Sequence, residues 1–425
     1  MGLVGIGSMI VIAWALSNNR RKVNWKLVGT GVVLQAVLGF VVLNTGVGRF
    51  LFQGANTVFT QLLGFTEQGA RFIFGNLVQS NVPVGIPVGN PASGPISSPE
   101  LWANTGAFFA FSVLPTIIFF SSLMSVLYYL GIMQRVVQGL AWAMQRTMHT
   151  SGAESLSVAG NIFVGQTEAP LLIKPFVAKM TYSELNTVMV GGFATIAGGV
   201  MAAYVAMLSP YFPDIAGHLL TAAVMNAPAA LVISKLLVPE TGEPLTKSSL
   251  KVAVGDKDAN VIDAAAAGAS QGMHLALNVA AMLLAFVALT YLINAILGLA
   301  GGLSLETIFG WVLSPLAWLM GVPMADAGTV GSLIGVKVVL TEFVAYLQLA
   351  ATLGDPATTL SPRATLIVTY ALLGFANIPS IAIQIGGIGG LAPERRGDLS
   401  RLGLKAMIGG NLAAFMSASL AGMLV

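Results

Sequence analysis

Long apolar segments with almost no charged residues recur along the chain and limit what it can fold into. A helix that crosses a bilayer needs about 20 predominantly apolar residues. Eight segments of roughly that length lie near residues 3–17, 27–48, 103–130, 185–208, 215–237, 274–299, 363–390 and 403–424. Only 9% of the residues are charged, against about 25% in soluble globular proteins. The sequence therefore predicts an all-α polytopic membrane protein with eight transmembrane helices.

Three further segments mix polar residues with large apolar ones, a pattern typical of helices that lie along the membrane surface. They cover residues 50–77, 132–150 and 303–320. Residues 79–100 are rich in Pro, Gly and Ser and are predicted to form a loop. The longest polar segment, 239–272, is predicted to be a second loop whose Ala-rich end can be helical.

Two apolar segments are interrupted at their centres by polar residues and glycines. Residues 157–176 read SVAGNIFVGQTEAPLLIKPF, and residues 322–351 have a similar polar, Gly-rich centre. Each contains a Thr-Glu pair, Thr167-Glu168 and Thr341-Glu342. Irregular backbone is tolerated at membrane depth only where protein or a water-filled cavity surrounds it. Both segments are therefore predicted to be re-entrant hairpins whose polar tips meet near the middle of the membrane.

A seven-residue motif occurs twice, as GFATIAG at 192–198 and as GFANIPS at 374–380, each time in the span that follows a hairpin. Gly with Thr or Asn weakens a helix, and Pro379 lacks an amide hydrogen, so we expect two discontinuous helices. The order of elements around the motif is the same in both halves. Because three spans separate the hairpins, residues 151–237 and 321–425 are predicted to form an inverted-topology repeat. The alternative for either motif is close helix packing through small residues.

Composition argues against several classes of protein. The chain has no cysteine, which excludes disulfides, iron–sulfur clusters and thiolate zinc sites. Its three histidines are scattered, and it contains neither a Ser-His-Asp arrangement nor a phosphate-binding loop. We therefore expect neither an enzyme nor a cofactor. The formal net charge of +3 arises in short loops beside the spans, so binding to nucleic acid is not expected.

Five ionisable residues lie inside the predicted hairpins: Glu168, Glu342 and Lys337 towards the centres, with Lys174 and Asp326 nearer the ends. A charged side chain at the bilayer centre costs about 2.5–3.5 kcal/mol even on insertion scales, and such residues are usually functional. The glutamates are therefore candidates for ligand binding. The alternative is that each pairs with a lysine and only holds its hairpin together.

The basic residues of the loops predict the orientation, because Lys and Arg mark the cytoplasmic side of a membrane protein. With eight spans and two hairpins that do not cross, four basic clusters fall on one face. They are Arg20, Arg21, Lys22 and Lys26 with Arg135 and Arg146; Lys235, Lys247, Lys251 and Lys257; and Arg395, Arg396 and Arg401. Both termini are then predicted to be on the non-cytoplasmic side.

The strings GNIFVGQTEAPLLIKPF, TEFVAYLQL, GFATIAG and GFANIPSIAIQIGG resemble the concentrative nucleoside transporter family, from about residue 100 to the C-terminus. The short N-terminus is similar to the bacterial eight-span form. The resemblance implies a secondary active transporter of the bacterial inner membrane that couples inward movement of Na+ to nucleoside uptake. It also implies a homotrimer in which a transport part, residues 151–237 and 321–425, moves like an elevator against a scaffold part, residues 1–150 and 238–320.

The resemblance also implies three groups of binding residues. Those for the nucleobase are Gln166, Thr167, Glu168 and Val200. Those for the ribose are Glu342, Phe375, Asn377 and Ser380. Those for Na+ are Asn161, Val164, Thr195 and Ile196, two of them through backbone oxygen.

The chemistry of these residue types suits such roles. A carboxylate such as Glu342 can accept hydrogen bonds from two neighbouring ribose hydroxyls, and a site built for hydroxyls rejects ligands that lack them. Uridine-like ribonucleosides are thus the expected substrates. Two positions depart from many relatives, Thr341 in place of Asn and Thr195 in place of Ser. Coupling to protons, a passive channel and a membrane-embedded enzyme are the alternatives.

Overall fold

The computed structural model describes residues 1–79, 81–84, 101–104, 109–247, 259–299, 302–358 and 360–425. Helices dominate these residues, with one antiparallel ladder of β1 (Asn81–Val84) and β2 (Leu101–Asn104). The first helices are α1 (Gly2–Ala15), α2 (Trp25–Asn44), α3 (Gly46–Phe74), α4 (Leu114–Tyr129) and α5 (Ile132–Met148). Next come α6 (Gly152–Gly160), α7 (Lys174–Val177), α8 (Tyr182–Ala194), α9 (Gly198–Leu208) and α10 (Ile215–Leu237). The last are α11 (Val261–Leu299), α12 (Leu305–Leu319), α13 (Met324–Val339), α14 (Glu342–Gly354), α15 (Pro362–Leu372), α16 (Ile378–Leu391) and α17 (Arg396–Leu424).

Six stretches of the described residues are long and apolar enough to cross a membrane. They are Trp25–Asn44, Ala110–Tyr129, Tyr182–Leu208, Ile215–Leu237, Val261–Leu299 and Pro393–Leu424, and each overlaps a predicted span. The first predicted span is α1, whose 14 residues reach only about 21 Å against a hydrocarbon core of about 30 Å. The seventh consists of α15 and α16 with a break between them. An all-helical polytopic membrane protein is thereby confirmed.

Two predicted boundaries differ from the structure. Residues 101–104, where the third span is predicted to begin, pair with β1 instead of forming helix; residues 105–108 lie outside the described residues, and the helix is described from Phe109 onward. The sixth span begins at Val261, since its Ala-rich start has high helix propensity. Residue 80, residues 85–100 of the first predicted loop, and residues 248–258 of the second, with Lys251 and Lys257, lie outside the described residues.

Helix α11 extends so far because small residues let it approach α4 closely. Ala264, Gly268, Gly272 and Ala276 recur every four residues on one face of α11 and are buried. A Cβ atom added at Gly268 would lie 2.6 Å from the Cβ atom of Ser125. Such stripes allow dispersion contacts between backbones where lipid removes the hydrophobic drive for helix association.

Both re-entrant hairpins are present. The first consists of α6, a non-helical tip over residues 161–168, a 3-10 turn at Ala169–Ile173 and α7. Its second arm is irregular because Pro170 and Pro175 have no amide hydrogen to donate. The second hairpin consists of α13 and α14, joined at Leu340 and Thr341. The chain turns by 117° between α12 and α13, so α12 folds back against α13 and does not continue the hairpin arm.

The two repeated motifs coincide with breaks in helices, as predicted. Helix α8 ends at Ala194 and α9 begins at Gly198, whereas α15 ends at Leu372 and α16 begins at Ile378. Helices α10 and α17 pack around these broken helices; α10 is almost entirely buried, and α17 is buried over its C-terminal half. The breaks therefore lie in the interior of the protein, where each unwound backbone group needs a protein partner.

Candidate substrate and cation sites

A cavity of about 790 Å³ lies between the two hairpin tips, the two helix breaks and α11. Its volume is typical of sites for small organic ligands, at roughly 300–1,000 Å³. The structure brings all the residues predicted for nucleobase and ribose to its wall: Gln166, Thr167, Glu168, Val200, Glu342, Phe375, Asn377 and Ser380. Residues far apart in the sequence thus share one cavity.

Glu342 is the first residue of α14, at the tip of the second hairpin, and only 4% of its surface is exposed. Thr341 caps this helix, since its hydroxyl accepts a hydrogen bond from Val344 N at 3.3 Å. The helix N-terminus favours a carboxylate. The Tyr204 hydroxyl donates to Oε1 at 3.0 Å, and Asn377 Nδ2 donates to Oε2 at 2.7 Å. A carboxylate offers about four lone-pair positions, so both oxygens can also accept from ligand hydroxyls.

Asn377 owes its orientation to the second motif. It is the N-cap of α16, and its Oδ1 accepts from Ser380 N at 2.9 Å. Pro379 fits the first turn, where its missing amide leaves no donor unpaired. Gly374 has φ +118°, and a Cβ atom there would lie 2.5 Å from Phe193 O. GFANIPS therefore forms a sharp break followed by a capped helix. Because Asn377 Oδ1 is used for the cap, its Nδ2 is directed at the carboxylate of Glu342.

Gln166 connects the residues predicted to bind the nucleobase to those predicted to bind the ribose. Its Nε2 donates to Ser380 Oγ at 3.3 Å, and its Oε1 accepts from Gln384 Nε2 at 2.9 Å. Gln384 Nε2 also donates to Met189 O at 3.1 Å. These bonds join the first hairpin tip, α8 and α16, so the amide of Gln166 is fixed before any ligand binds.

Neither hairpin glutamate is held by a lysine. Among the described residues, neither Glu168 nor Glu342 forms an ion pair. Lys337 is fully buried and instead donates to Ala371 O at 2.9 Å and to Leu373 O at 3.4 Å. It thus satisfies carbonyls at the C-terminal end of α15, where a cation is favourable.

The first break packs against the tip of the first hairpin. Gly198 N donates to Phe163 O at 2.9 Å. The Thr195 hydroxyl turns back to Gly191 O at 2.8 Å, while Thr195 O accepts from Phe375 N at 3.3 Å. Backbone oxygens of an unwound stretch and of a hairpin tip therefore come together at this place.

Asn161 supplies the clearest sign of a ligand here. It is fully buried, and within the described part of the chain neither Oδ1 nor Nδ2 has a hydrogen-bond partner. Val164 follows Phe163 at the same tip, and Ile196 lies in the same break as Thr195. A buried amide oxygen beside unwound backbone carbonyls matches the donor set that transporters use for Na+.

Sequence reasoning missed two residues of the polar network, Tyr204 and Gln384. Tyr204 lies four residues after Val200, one helical turn along α9, so the spacing could have suggested that both face the same way. Gln384 interrupts the otherwise apolar string IAIQIGG, and an amide inside a span is itself a signal. Both residues are fully buried.

The opposite wall of the cavity was also not predicted. Gln271, His274 and Asn278 of α11 line it, at spacings of three and four residues that share one helix face. His274 Nδ1 lies 2.8 Å from Ser270 O. The sequence suggested only that the histidines are scattered, whereas the structure brings this one to the cavity.

A polar network in a largely apolar cavity, enclosed by re-entrant hairpins and broken helices, defines a secondary transporter. Family profiles described as "Na+ dependent nucleoside transporter" match residues 218–422 (C-terminus) and 4–77 (N-terminus). A profile described as "Gate: Nucleoside recognition" matches residues 110–211. The chain therefore belongs to the family of Na+ dependent, or concentrative, nucleoside transporters.

Individual relatives agree over the whole chain. An uncharacterized transporter of Haemophilus influenzae is 44% identical over 431 residues, covering 100% of this chain and 97% of the relative. The sodium/nucleoside cotransporter 1 of Rattus norvegicus is 42% identical over 443 residues, covering 100% of this chain and 63% of that protein. The structure of CNTnw in an inward-facing substrate-bound state has 42% identity and a TM-score of 0.87, covering 100% and 97% of the two chains. The family consists of transporters, not enzymes.

Proposed function

We propose that this protein takes up nucleosides, with a preference for uridine-like ribonucleosides, by coupling their inward movement to that of Na+. The observation that carries the proposal is the buried carboxylate of Glu342 at the cavity wall, oriented by Tyr204 and Asn377. Charge-assisted hydrogen bonds are about twice as strong as neutral ones. A fixed carboxylate with free lone pairs is suited to two adjacent ribose hydroxyls, and desolvating it without them is costly.

The first hairpin would hold the nucleobase. Gln166 and Thr167 offer both donors and acceptors to a base edge, and Val200 gives an apolar contact. Glu168 lines the cavity with its carboxylate folded over Gly165, where a Cβ atom would lie 2.2 Å from Oε2. This arrangement supports a base with hydrogen-bond donors on its edge.

Asn161, Val164, Thr195 and Ile196 would hold the Na+ ion. The unpartnered amide of Asn161 and the contact between Gly198 N and Phe163 O support this assignment. The dependence on Na+ in the family's description favours sodium over protons as the coupling ion.

The cavity walls support an elevator mechanism. Hairpins and broken helices form one side of the cavity, and α11, which packs mainly on α4, forms the other. A moving transport part could carry the polar network past a fixed α11. Exposed apolar residues along α11, such as Leu277, Leu284 and Tyr291, are compatible with a homotrimer or with lipid.

The proposed location is the bacterial inner membrane, with both termini on the non-cytoplasmic side. Contacts between described segments that flank the basic loops support it. Asn18 N donates to Leu237 O at 2.9 Å, and Arg395 Nη1 donates to Met180 O at 2.6 Å. Arg20 and Lys235 are near neighbours of these contacts in the sequence.

The test is uptake of labelled uridine into proteoliposomes with an imposed inward Na+ gradient, and separately with a proton gradient. We expect uphill accumulation with Na+ that collapses when the gradient is dissipated. Accumulation driven by protons alone would replace sodium as the ion, and mere equilibration would indicate a channel. Equal uptake of 2′,3′-dideoxyuridine would contradict the ribose role of Glu342. Chemically altered uridine in the vesicles would indicate an enzyme.

A further inference from the structure

Two buried asparagines occupy equivalent places in the two halves of the protein. Asn226 lies in α10 and Asn411 in α17, the helix that follows the broken helix in each half. Asn226 Nδ2 donates to Ala194 O at 2.7 Å, and Asn411 Nδ2 donates to Ala376 O at 2.9 Å. Ala194 and Ala376 are the third residues of GFATIAG and GFANIPS. The same donor thus reaches the same carbonyl of both motifs.

Ala194 is the last residue of α8, and Ala376 lies in the non-helical stretch between α15 and α16, so neither carbonyl is part of a continuous helical hydrogen-bond pattern. Both residues are fully buried, and a buried carbonyl without a donor is costly. In both asparagines the Oδ1 atom has no partner among the described residues, so the amide is used chiefly for its donor. Asn411 Nδ2 additionally reaches Met407 O at 3.2 Å in its own helix.

Each anchored carbonyl immediately precedes a residue assigned to a ligand. Thr195 follows Ala194 in the first break, and Asn377 follows Ala376 in the second. Fixing a carbonyl fixes the plane of the peptide that joins it to the next residue. The asparagines therefore control where Thr195 and Asn377 lie, although neither of the two lines the cavity.

We propose that Asn226 and Asn411 are paired positioning residues, with Asn226 setting the apparent affinity for the cation and Asn411 that for the nucleoside. The inference rests on the proposed function, because it divides the two ligands between the two breaks. The breaks touch through Phe375 N and Thr195 O at 3.3 Å. Each variant therefore has its larger effect on its own ligand and a smaller one on the other.

The test compares Asn226→Leu and Asn411→Leu, which keep the number and branching of side-chain heavy atoms and remove the donor. Asn186→Leu is the matched control, since Asn186 is equally buried and donates to Ser234 O at 3.1 Å, away from both breaks. In proteoliposomes, we expect Asn226→Leu to raise the half-saturating Na+ concentration about tenfold, and Asn411→Leu to raise the uridine KM about tenfold. Equal effects of both variants on both constants, or the same shifts in Asn186→Leu, would overturn the proposal.

A second measurement does not depend on transport. The chain contains no cysteine, so Ala194→Cys and Ala376→Cys each introduce a single thiol at a fully buried position. We expect Asn226→Leu to accelerate maleimide labelling at 194 and not at 376, and Asn411→Leu to do the reverse. Equal labelling rates in all backgrounds would overturn the positioning role.

The two measurements separate this inference from the proposed function. If the unmutated protein shows no Na+-driven uridine uptake, the proposed function fails, and the division of ligands between the asparagines fails with it. A selective change in labelling would then still support their positioning role. If uptake is normal and neither measurement is selective, only the inference fails.

Discussion

The two helix breaks have the same backbone plan but use their polar side chains in opposite directions. In the first, the Thr195 hydroxyl turns back to Gly191 O and closes α8, while the N-cap Ala197 of α9 offers no side-chain acceptor. In the second, Asn377 turns forward to cap α16 and reaches Glu342. We propose that the first break leaves backbone groups available for a cation, and that the second break, together with Glu342 of the neighbouring hairpin, offers an amide and a carboxylate to a sugar.

The two hairpins also differ in the polar contacts at the end opposite the tip. At the first, Lys235 Nζ lies 2.8 Å from Glu154 Oε2 and 3.3 Å from Glu240 Oε2. At the second, the Ser361 hydroxyl donates to Asp326 Oδ2 at 2.5 Å, and no Lys or Arg of the described residues forms an ion pair with Asp326. Equivalent hairpins are therefore stabilised by ion pairs in one half of the protein and by a hydrogen bond between a hydroxyl and a carboxylate in the other.

The largest expected effect comes from removing the ion pairs of Lys235 beside the first hairpin. Lys235→Met leaves Glu154 buried without its counter-charge, which costs about 3–5 kcal/mol. Ser361→Ala beside the second hairpin removes one hydrogen bond to a carboxylate, at about 1.5–3 kcal/mol. Thermal inactivation in detergent measures both, with Lys26→Met on the exposed surface as the control. If Lys235→Met lowers the inactivation temperature less than Ser361→Ala does, the ion pair does not contribute more stability than the hydrogen bond.

Glu342→Gln has the next largest effect, and it acts on uptake rather than on stability. Two charge-assisted hydrogen bonds to ribose hydroxyls are lost, so kcat/KM for uridine falls at least about a hundredfold. Glu67→Gln is the control, because Glu67 is exposed and its pair with Arg71 is a surface contact. Near-normal uptake by Glu342→Gln, or discrimination against dideoxynucleosides that survives the change, would remove Glu342 from the ribose site.

The first glycines of the two motifs are expected to differ in how much stability is lost when each is replaced by alanine. Gly374→Ala forces a left-handed backbone on alanine, at about 1–2 kcal/mol, and places Cβ against the Phe193 carbonyl. Gly192 lies inside α8, where alanine adopts the backbone without strain, although its added Cβ would lie 2.8 Å from Gln384 Nε2 and 3.0 Å from Gln166 Cβ. Gly374→Ala therefore lowers the inactivation temperature more than Gly192→Ala. The control is Gly386→Ala, where nothing lies within 4 Å of the added carbon.

Removing the polar group of each break sharpens the comparison further. Thr195→Val removes the hydroxyl and raises the half-saturating Na+ concentration about tenfold, whereas Thr195→Ser retains it. Asn377→Thr keeps a capping oxygen but loses the donor to Glu342, so the uridine KM rises by a similar factor. Thr290→Val is the control, since its hydroxyl also bonds a carbonyl four residues back in a helix far from the breaks. Interchanged effects would reverse the assignment of the two breaks.

His274→Ala has the smallest expected effect. The residue lines the cavity from α11, on the wall opposite the polar network, and its Nδ1 lies within hydrogen-bonding distance of Ser270 O. Loss of one solvent-accessible contact between this side chain and the substrate changes the uridine KM by about threefold. Concentration-dependent uptake measures this change. A loss as large as that of Glu342→Gln would mean that α11 binds substrate as strongly as the second hairpin.

Much of the fold could be predicted because its signals are local. Apolar length revealed the spans, and polar interruptions at Thr167-Glu168 and Thr341-Glu342 revealed the hairpins. Gly374 and Pro379 in one motif, and Gly192 with Thr195 in the other, revealed the breaks. Boundaries were less certain where a competing structure existed, as at β2 or at the Ala-rich start of α11. The residues assigned to the substrate came from motif resemblance, and the cavity then united them.

The amino-acid sequence by itself determined the class of protein, its helices, its hairpins and the places where two helices break. Each of these depends on residues that are close together in the sequence, because a lipid environment requires apolar spans and because Gly and Pro interrupt a helix locally. Only the tertiary structure decided which donors satisfy the broken backbone and orient the carboxylate. Tyr204 reaches Glu342 across 138 positions and Gln384 reaches Gln166 across 218. A buried amide or hydroxyl needs a hydrogen-bond partner, but only the packing of helices that are distant in the sequence determines which group that partner is.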